Sequence, residues 1–120
     1  MEENEMKDYE NEIQYKGKTY RLVFNLNVME AIQEEFGTVE HWGELSDGSD
    51  GEPSAKAVIF GFKEMINEGI DIANDENGTD IPFISLKQAG RIVSELGFQE
   101  ATITLNDTVI EATQSDEKNE

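Results

Sequence analysis

The sequence has no cysteine, one histidine, one tryptophan and two prolines in 120 residues. Without cysteine there is neither a disulfide framework nor a thiolate metal site, and a reducing cytoplasm suits the chain. The single histidine, His41, has no second histidine or cysteine to complete a metal set or a nucleophile pair, so it reads as a non-catalytic residue beside Glu40 and Trp42. No Ser-His-acid set, no paired carboxylates and no glycine-rich phosphate loop after a strand stand out from the background, which points away from an enzyme and from a bound cofactor. Long apolar runs are missing as well. None approaches the roughly 20 residues that span a bilayer, and the acidic opening MEENEMKDYENE lacks the apolar centre of a signal peptide. A soluble chain that stays off the membrane is expected.

Bases are scarce: nine lysines and arginines face 27 acids, for a formal net charge of −18. Residues 1–12 carry −5, 43–53 carry −4, 67–80 carry −5 and 114–120 carry −2. By sequence these are tails and loops, so the elements between them read as nearly balanced. Mobile segments of like charge repel one another and oppose aggregation. Direct binding to nucleic acid is not expected, because little is present to neutralise phosphates. A chain of 120 residues suffices for one core but not two. The composition divides it into a disordered acidic lead-in, 1–8, a single globular domain, 9–113, and a disordered acidic tail, 114–120.

The broadest apolar stripe lies in SAKAVIFGFKEMINEG, Ser54 to Gly69. Ala55, Val58, Ile59, Phe62, Met65 and Ile66 follow the spacing of one helical face, with Ser54 as N-cap and Gly69 as terminator. Burying the larger of them is worth roughly 1.5–3 kcal/mol each before entropy is counted. This helix is the predicted centre of the core.

Elsewhere the period changes. From Tyr9 to Phe24 it is two, and a tight turn at Lys16-Gly17 pairs Tyr15 with Lys18, Ile13 with Tyr20, Asn11 with Leu22 and Tyr9 with Phe24. That register places Ile13, Tyr15, Tyr20, Leu22 and Phe24 on one face; a slip by one residue scatters them over both. Asn27 and Glu30 suggest a capping box for a helix that ends at Gly37. Thr38 then caps a short helix, Val39 to Leu45, that brings Trp42 inward, and Ser46 to Ser54 reads as a flexible loop. Ile70 to Ile84 is rich in Asn, Asp and Gly and reads as a long mobile or functional loop. Aligning Gly78 with the glycine of a calcium-binding EF-hand puts Ala73 and Ile84 where carboxylates are needed, which speaks against a calcium loop. Ser85 and Gln88 again match a capping box, for a helix of Leu86, Ala89, Ile92, Val93 and Leu96 that ends at Gly97. For Phe98 to Thr113, a helical stripe (Phe98, Ala101, Leu105, Val109, Ala112) competes with a hairpin turning at Asn106-Asp107. The fold class is α+β, mostly α: an N-terminal hairpin packed on a bundle of four to five helices.

The order of these elements and the wording of YKGKTYRLVFNLNVMEAIQEEFGTVEHW, FKEMINEGIDI and LKQAGRIVSELG resemble the tail assembly chaperones of siphophages and related prophages. The resemblance covers residues 12–113. It implies that Phe98–Thr113 is helical and that the role is non-enzymatic: binding the tape measure protein in the bacterial host cytoplasm, keeping it soluble, assisting tail tube assembly, and staying out of the mature virion. In many such phages a longer frameshifted form engages the tail tube protein; this chain, ending in SDEKNE, would be the short form. Self-association is a further option.

No residue role of that family transfers position by position, so the candidate contacts are Phe60, from its place off the main stripe, and the last element, from its place after the core-forming helices and before the C-terminus, where the longer family product continues. Phe60 lies off the main stripe of the central helix and is either covered by a second neighbour or presented to a partner. Phe98, Leu105 and Val109 of the last element are nominated with it, against the alternative of a core helix that closes the domain. Two other classes remain open on sequence grounds: a minor virion structural or connector protein, and an acidic phage-encoded inhibitor that mimics nucleic acid. The mimic fits less well, since it needs its charge fixed on a rigid face.

Overall fold

The structure, a computed structural model, describes residues 11–49 and 51–118. The lead-in 1–8 and the Tyr9–Phe24 pair therefore lie outside, or partly outside, the described residues. Two antiparallel strands, β1 (Asn11–Tyr15) and β2 (Lys18–Leu22), precede five helices: α1 (Leu26–Phe36), α2 (Val39–Asp47), α3 (Ala55–Asn77), α4 (Leu86–Leu96) and α5 (Phe98–Lys118). The fold is α+β and mostly α, a hairpin on a five-helix bundle.

The hairpin has the register that the alternation dictates, with Asn11 opposite Leu22, Ile13 opposite Tyr20 and Tyr15 opposite Lys18. Lys16 and Gly17 both take positive φ, 51° and 79°, which matches the twist of the two strands. Ile13 and Leu22 are buried, while Tyr15, Tyr20 and Phe24 pack half-buried against the same core. Phe24 stacks on Trp42 with ring centroids 6.3 Å apart.

α3 packs against β2 and against all four other helices, so it is the centre of the core as the apolar stripe predicts. Its buried face is rotated from the expected one: Ala57 and Gly61 are inside, Ala55 is exposed and Ile59 is half-buried. The expected terminator is also wrong. Gly69 sits inside the helix, which runs on to Asn77 and is capped by Gly78 in the left-handed region. The reason is steric. A Cβ at Gly69 would lie 2.9 Å from the carbonyl oxygen of Arg21. Its absence lets β2 approach closely enough for the Val23 amide to donate to the Met65 carbonyl at 3.3 Å. Gly61 serves the same purpose for Trp42, whose ring would be 2.6 Å from an added Cβ. The Trp42 indole N–H donates to the Ala57 carbonyl at 2.9 Å, so a fully buried ring keeps its polar atom satisfied.

Because α3 continues, Glu68, Asp71, Asp75 and Glu76 stand on a helix and not in a loop. The expectation that charge is confined to tails and loops fails there. α1 begins two residues earlier than Asn27 suggests. Asn25 is the N-cap, accepting from the Val28 amide at 3.2 Å, and Asn27 instead donates to Glu68 at 3.1 Å. α2 is capped by Thr38 as expected and runs to Asp47, with Ser46 buried and its hydroxyl donating to the Trp42 carbonyl. α4 carries the full capping box: the Gln88 amide donates to the Ser85 hydroxyl and the Ser85 amide to the Gln88 side chain.

The last element is the helix α5, not the hairpin at Asn106-Asp107. Its threonines are reconciled with helical backbone by donating to carbonyls one turn back: Thr102 to Phe98, Thr108 to Thr104 and Thr113 to Val109. Ala101 and Leu105 are buried where α5 closes against α2, α3 and α4. The backbone stays helical to Lys118, past the point where composition places the start of a tail. Among the described residues no helix is long and apolar enough to cross a membrane.

Candidate functional site

The connection from α3 to α4 is held by two asparagines spaced two helical turns apart on α3. Asn67 donates to the Ile84 carbonyl at 3.1 Å and accepts from the Ile84 amide at 2.8 Å. Asn74 does the same for Ile81, at 3.0 and 2.9 Å, and also accepts from the Thr79 hydroxyl. Each side-chain amide thus stands in for the backbone of a neighbouring strand. The segment Ile81-Pro82-Phe83-Ile84 is laid along α3 by its main chain. Ile84 packs half-buried against the core, but Ile81 is 52% exposed and Phe83 57%, and Leu86 at the start of α4 is 50% exposed. A fixed backbone carrying outward apolar side chains is a surface suited to a partner. The sequence reading, which saw only a long mobile or functional loop, missed these three residues. The available signal was the apolar run IPFISL inside an otherwise polar stretch.

Beside that ridge lies a groove of about 550 Å³ between α3 and α4. On α3 its wall is Lys56, Ile59, Phe60 and Lys63, spaced 0, 3, 4 and 7, one helical face distinct from the buried one. On α4 it is Leu86, Lys87 and Gly90, and Glu35 of α1 closes one side. Phe60 is half-buried, packed edge-on against Phe36 with centroids 5.4 Å apart, and Lys63 lies 5.4 Å over its ring. Lys56 pairs with Glu35 at 3.5 Å and covers the Phe36 ring. Lys63 pairs with Glu64 at 3.0 Å, so both lysine stems flank apolar surface while an acid of the chain itself faces each charge.

On the other side of α4 are two further cavities, of about 320 and 530 Å³, which share Lys18, Tyr20, Ile84 and Gln88. Together the three cavities collect Lys16, Lys18, Arg21, Lys56, Lys63, Lys87 and Arg91. These are all the bases whose side chains the structure describes. Glu35 is the one acid among the lining residues. Seven positions dispersed from 16 to 91 converge on one band around α4.

Of the contacts nominated from sequence, Phe60 belongs to this groove. Phe98 is 40% exposed at the start of α5 and Val109 is half-buried against the core. Leu105 has no exposure, and its methyl lies 3.2 Å from where a Cβ of Gly61 would stand, so a partner does not reach it without opening the domain. None of the cavities that include Phe60 also includes Phe98, Leu105 or Val109. The outward face of α5 offers Ile103 and Ile110 instead, seven residues apart and about half exposed.

His41 is exposed on α2, and its backbone amide donates to the capping hydroxyl of Thr38. The residues aligned with an EF-hand loop are helical up to Asn77. Among the described residues, no group of three or more histidines or acids is placed to hold a metal ion. Among the described residues, Asp47 is the one group whose ionisation is clearly displaced. The Ser49 hydroxyl, and after it the Ser49 amide, donate to its carboxylate and hold it below the usual aspartate range. It is the last residue of α2, outside the band.

Comparison with protein-family models, with curated proteins and with solved structures finds no match to this chain.

Proposed function

We propose that the chain is a tail assembly chaperone of a siphophage or prophage: a non-enzymatic protein that binds the tape measure protein, keeps it soluble and assists assembly of the tail tube. Host cytoplasm is its proposed place of action, and it is proposed to be absent from the finished virion. The wording shared with that family motivates the reading, and one structural observation supports it best. Ile81, Phe83 and Leu86 are exposed on a backbone that Asn67 and Asn74 hold in place, next to a groove with an apolar floor. A long helical protein with apolar stripes aggregates without cover. A small domain offering fixed apolar surface masks a stripe, and its own net charge of −18 keeps the complex apart from others.

Co-expression with the tape measure gene of the same locus, followed by pull-down at low and high salt, tests the reading. Retention of a tape measure protein that is insoluble alone supports it. A tape measure protein equally soluble without the chain and never retained by it defeats the proposal. Recovery of the chain from purified particles would favour the virion-component alternative.

A further inference from the structure

We propose that the groove between α3 and α4, with the basic band around it, is the seat for an amphipathic helix with acidic flanks in the partner; this rests on the reading of the chain as a cover for a helix-rich protein. The first ground is charge. The sequence has three acids for every base, yet seven bases and one acid line the cavities around α4. At physiological ionic strength charges act over about 8 Å, so a docking helix responds mainly to the groove's own lysines, Lys56, Lys63 and Lys87, of which Lys56 and Lys63 also pair with Glu35 and Glu64. The second ground is the floor. Ile59, Phe60, Leu86 and Gly90 supply apolar surface over the length between Lys56 and Lys63, which is about 10 Å at 1.5 Å per residue. That length matches two turns of a helix presenting apolar anchors at i, i+3 or i+4, and i+7.

The third ground is Gly90. Of the glycines inside α3 and α4, Gly61 and Gly69 are required by close neighbours, but a Cβ at Gly90 would meet only the Ile59 Cδ1 atom, at an ordinary 3.6 Å. Alanine fits there and is the better helix former. Folding does not ask for this glycine, whereas a groove that must stay open to a side chain does. The apolar floor also favours a protein helix over nucleic acid, whose affinity comes mainly from phosphate contacts and not from apolar anchors.

The test uses two synthetic helical peptides of about 18 residues, about five turns long. Both carry leucine at the anchor spacing; one is flanked by glutamates, the other by lysines. Each is titrated into the isotopically labelled full chain and followed by amide chemical shifts. The glutamate peptide is expected to shift Phe60, Lys63, Leu86 and Gly90, and to bind about tenfold or more tighter than the lysine peptide, as several surface ion pairs gained or lost imply. Gly90→Phe fills the groove and abolishes the shifts, Gly90→Ala narrows it and weakens binding severalfold, and Lys56→Glu/Lys63→Glu/Lys87→Glu reverses the peptide preference. Circular dichroism checks folding, and the surface lysine variant decides the matter if Gly90→Phe does not fold. Equal affinity for both peptides, shifts confined to α5, tighter binding of a single-stranded oligonucleotide, or self-association through these residues in the absence of peptide each overturns the proposal. The same lysine variant in the tape measure pull-down separates the two ideas. If it retains the partner as well as the unaltered chain does, the groove is wrong and the chaperone reading stands. If the unaltered chain retains nothing, the chaperone reading falls, and the groove with it as the seat of that partner.

Discussion

Asn67 and Ile84 exchange two hydrogen bonds, side-chain amide against main chain, at 3.1 and 2.8 Å. The arrangement is a one-residue imitation of strand pairing, built from a helix. It converts the α3–α4 connection from a tether into a fixed ridge, and Asn74 repeats it two turns further along with Ile81.

Removing either asparagine side chain is expected to loosen the ridge without unfolding the domain. Asn67→Ala deletes two bonds and Asn74→Ala three, counting the one from Thr79, each worth about 0.5–1.5 kcal/mol and partly recovered by water at these half-exposed positions. Asn67→Ala should speed hydrogen exchange at the Ile84 amide, and Asn74→Ala at the Ile81 amide, while buried core amides keep their protection. Unchanged exchange at both sites would show that the loop is held by something else.

The helix glycines should separate by what a methyl group meets. Gly69→Ala drives a Cβ against the Arg21 carbonyl and Gly61→Ala drives one into the Trp42 ring. Each should cost about 1–3 kcal/mol, as overpacking does. Gly90→Ala meets no such obstacle and should stabilise by up to about 1 kcal/mol through helix propensity. Thermal melts of the three variants give the ranking, and equal losses at all three would refute the steric account.

Phe62 is fully buried and Phe60 is not. Phe62→Ala is expected to cost about 3–5 kcal/mol in denaturant unfolding. Phe60→Ala should lose clearly less, chiefly its edge-on contact with Phe36, worth about 0.5–1.5 kcal/mol beyond area. Matching losses would make Phe60 ordinary core and remove it from the groove.

Asp47 gives a pH signature of known sign. Hydrogen bonds from Ser49 depress its carboxyl pKa in the folded state, so the stabilisation is present above the unfolded value and is lost as pH falls through the depressed one. The group is exposed and the effect on stability small, so the check is spectroscopic. A carboxyl titration should find Asp47 below the usual aspartate range, and Ser49→Ala should raise it toward that range.

Much of this architecture is legible in the sequence where one physical cause acts locally. The hairpin register follows from alternation and the Lys16-Gly17 turn, and the start of α4 follows from Ser85 and Gln88. Where two causes share a residue type, sequence misleads. Glycine ends helices at Gly37 and Gly97 but permits close packing at Gly69, and only the position of Arg21, distant in sequence, distinguishes them. Asparagine likewise signals a loop, yet Asn67 and Asn74 are helical residues that hold one. The basic band was illegible for a different reason: its members are sparse and scattered along the chain, and only the folding of the hairpin turn beside α4 unites them.

A last expectation concerns how the two ends of the fold are joined. Asn11, the first residue of β1, donates its side-chain amide to the Thr108 hydroxyl of α5 at 2.6 Å, and that hydroxyl donates in turn to the Thr104 carbonyl. Thr108 is almost fully buried, so its hydroxyl needs both partners. Thr108→Val keeps the shape but strands the Asn11 amide, and about 1–3 kcal/mol should be lost. Asn11→Ala removes the donor and leaves the hydroxyl its helical acceptor, so it should cost less. The double variant should lose less than the sum of the two, because the second change removes a group the first has already stranded. A cycle of four denaturation curves measures that coupling. Strict additivity would mean that the hairpin and α5 are held together by apolar packing alone.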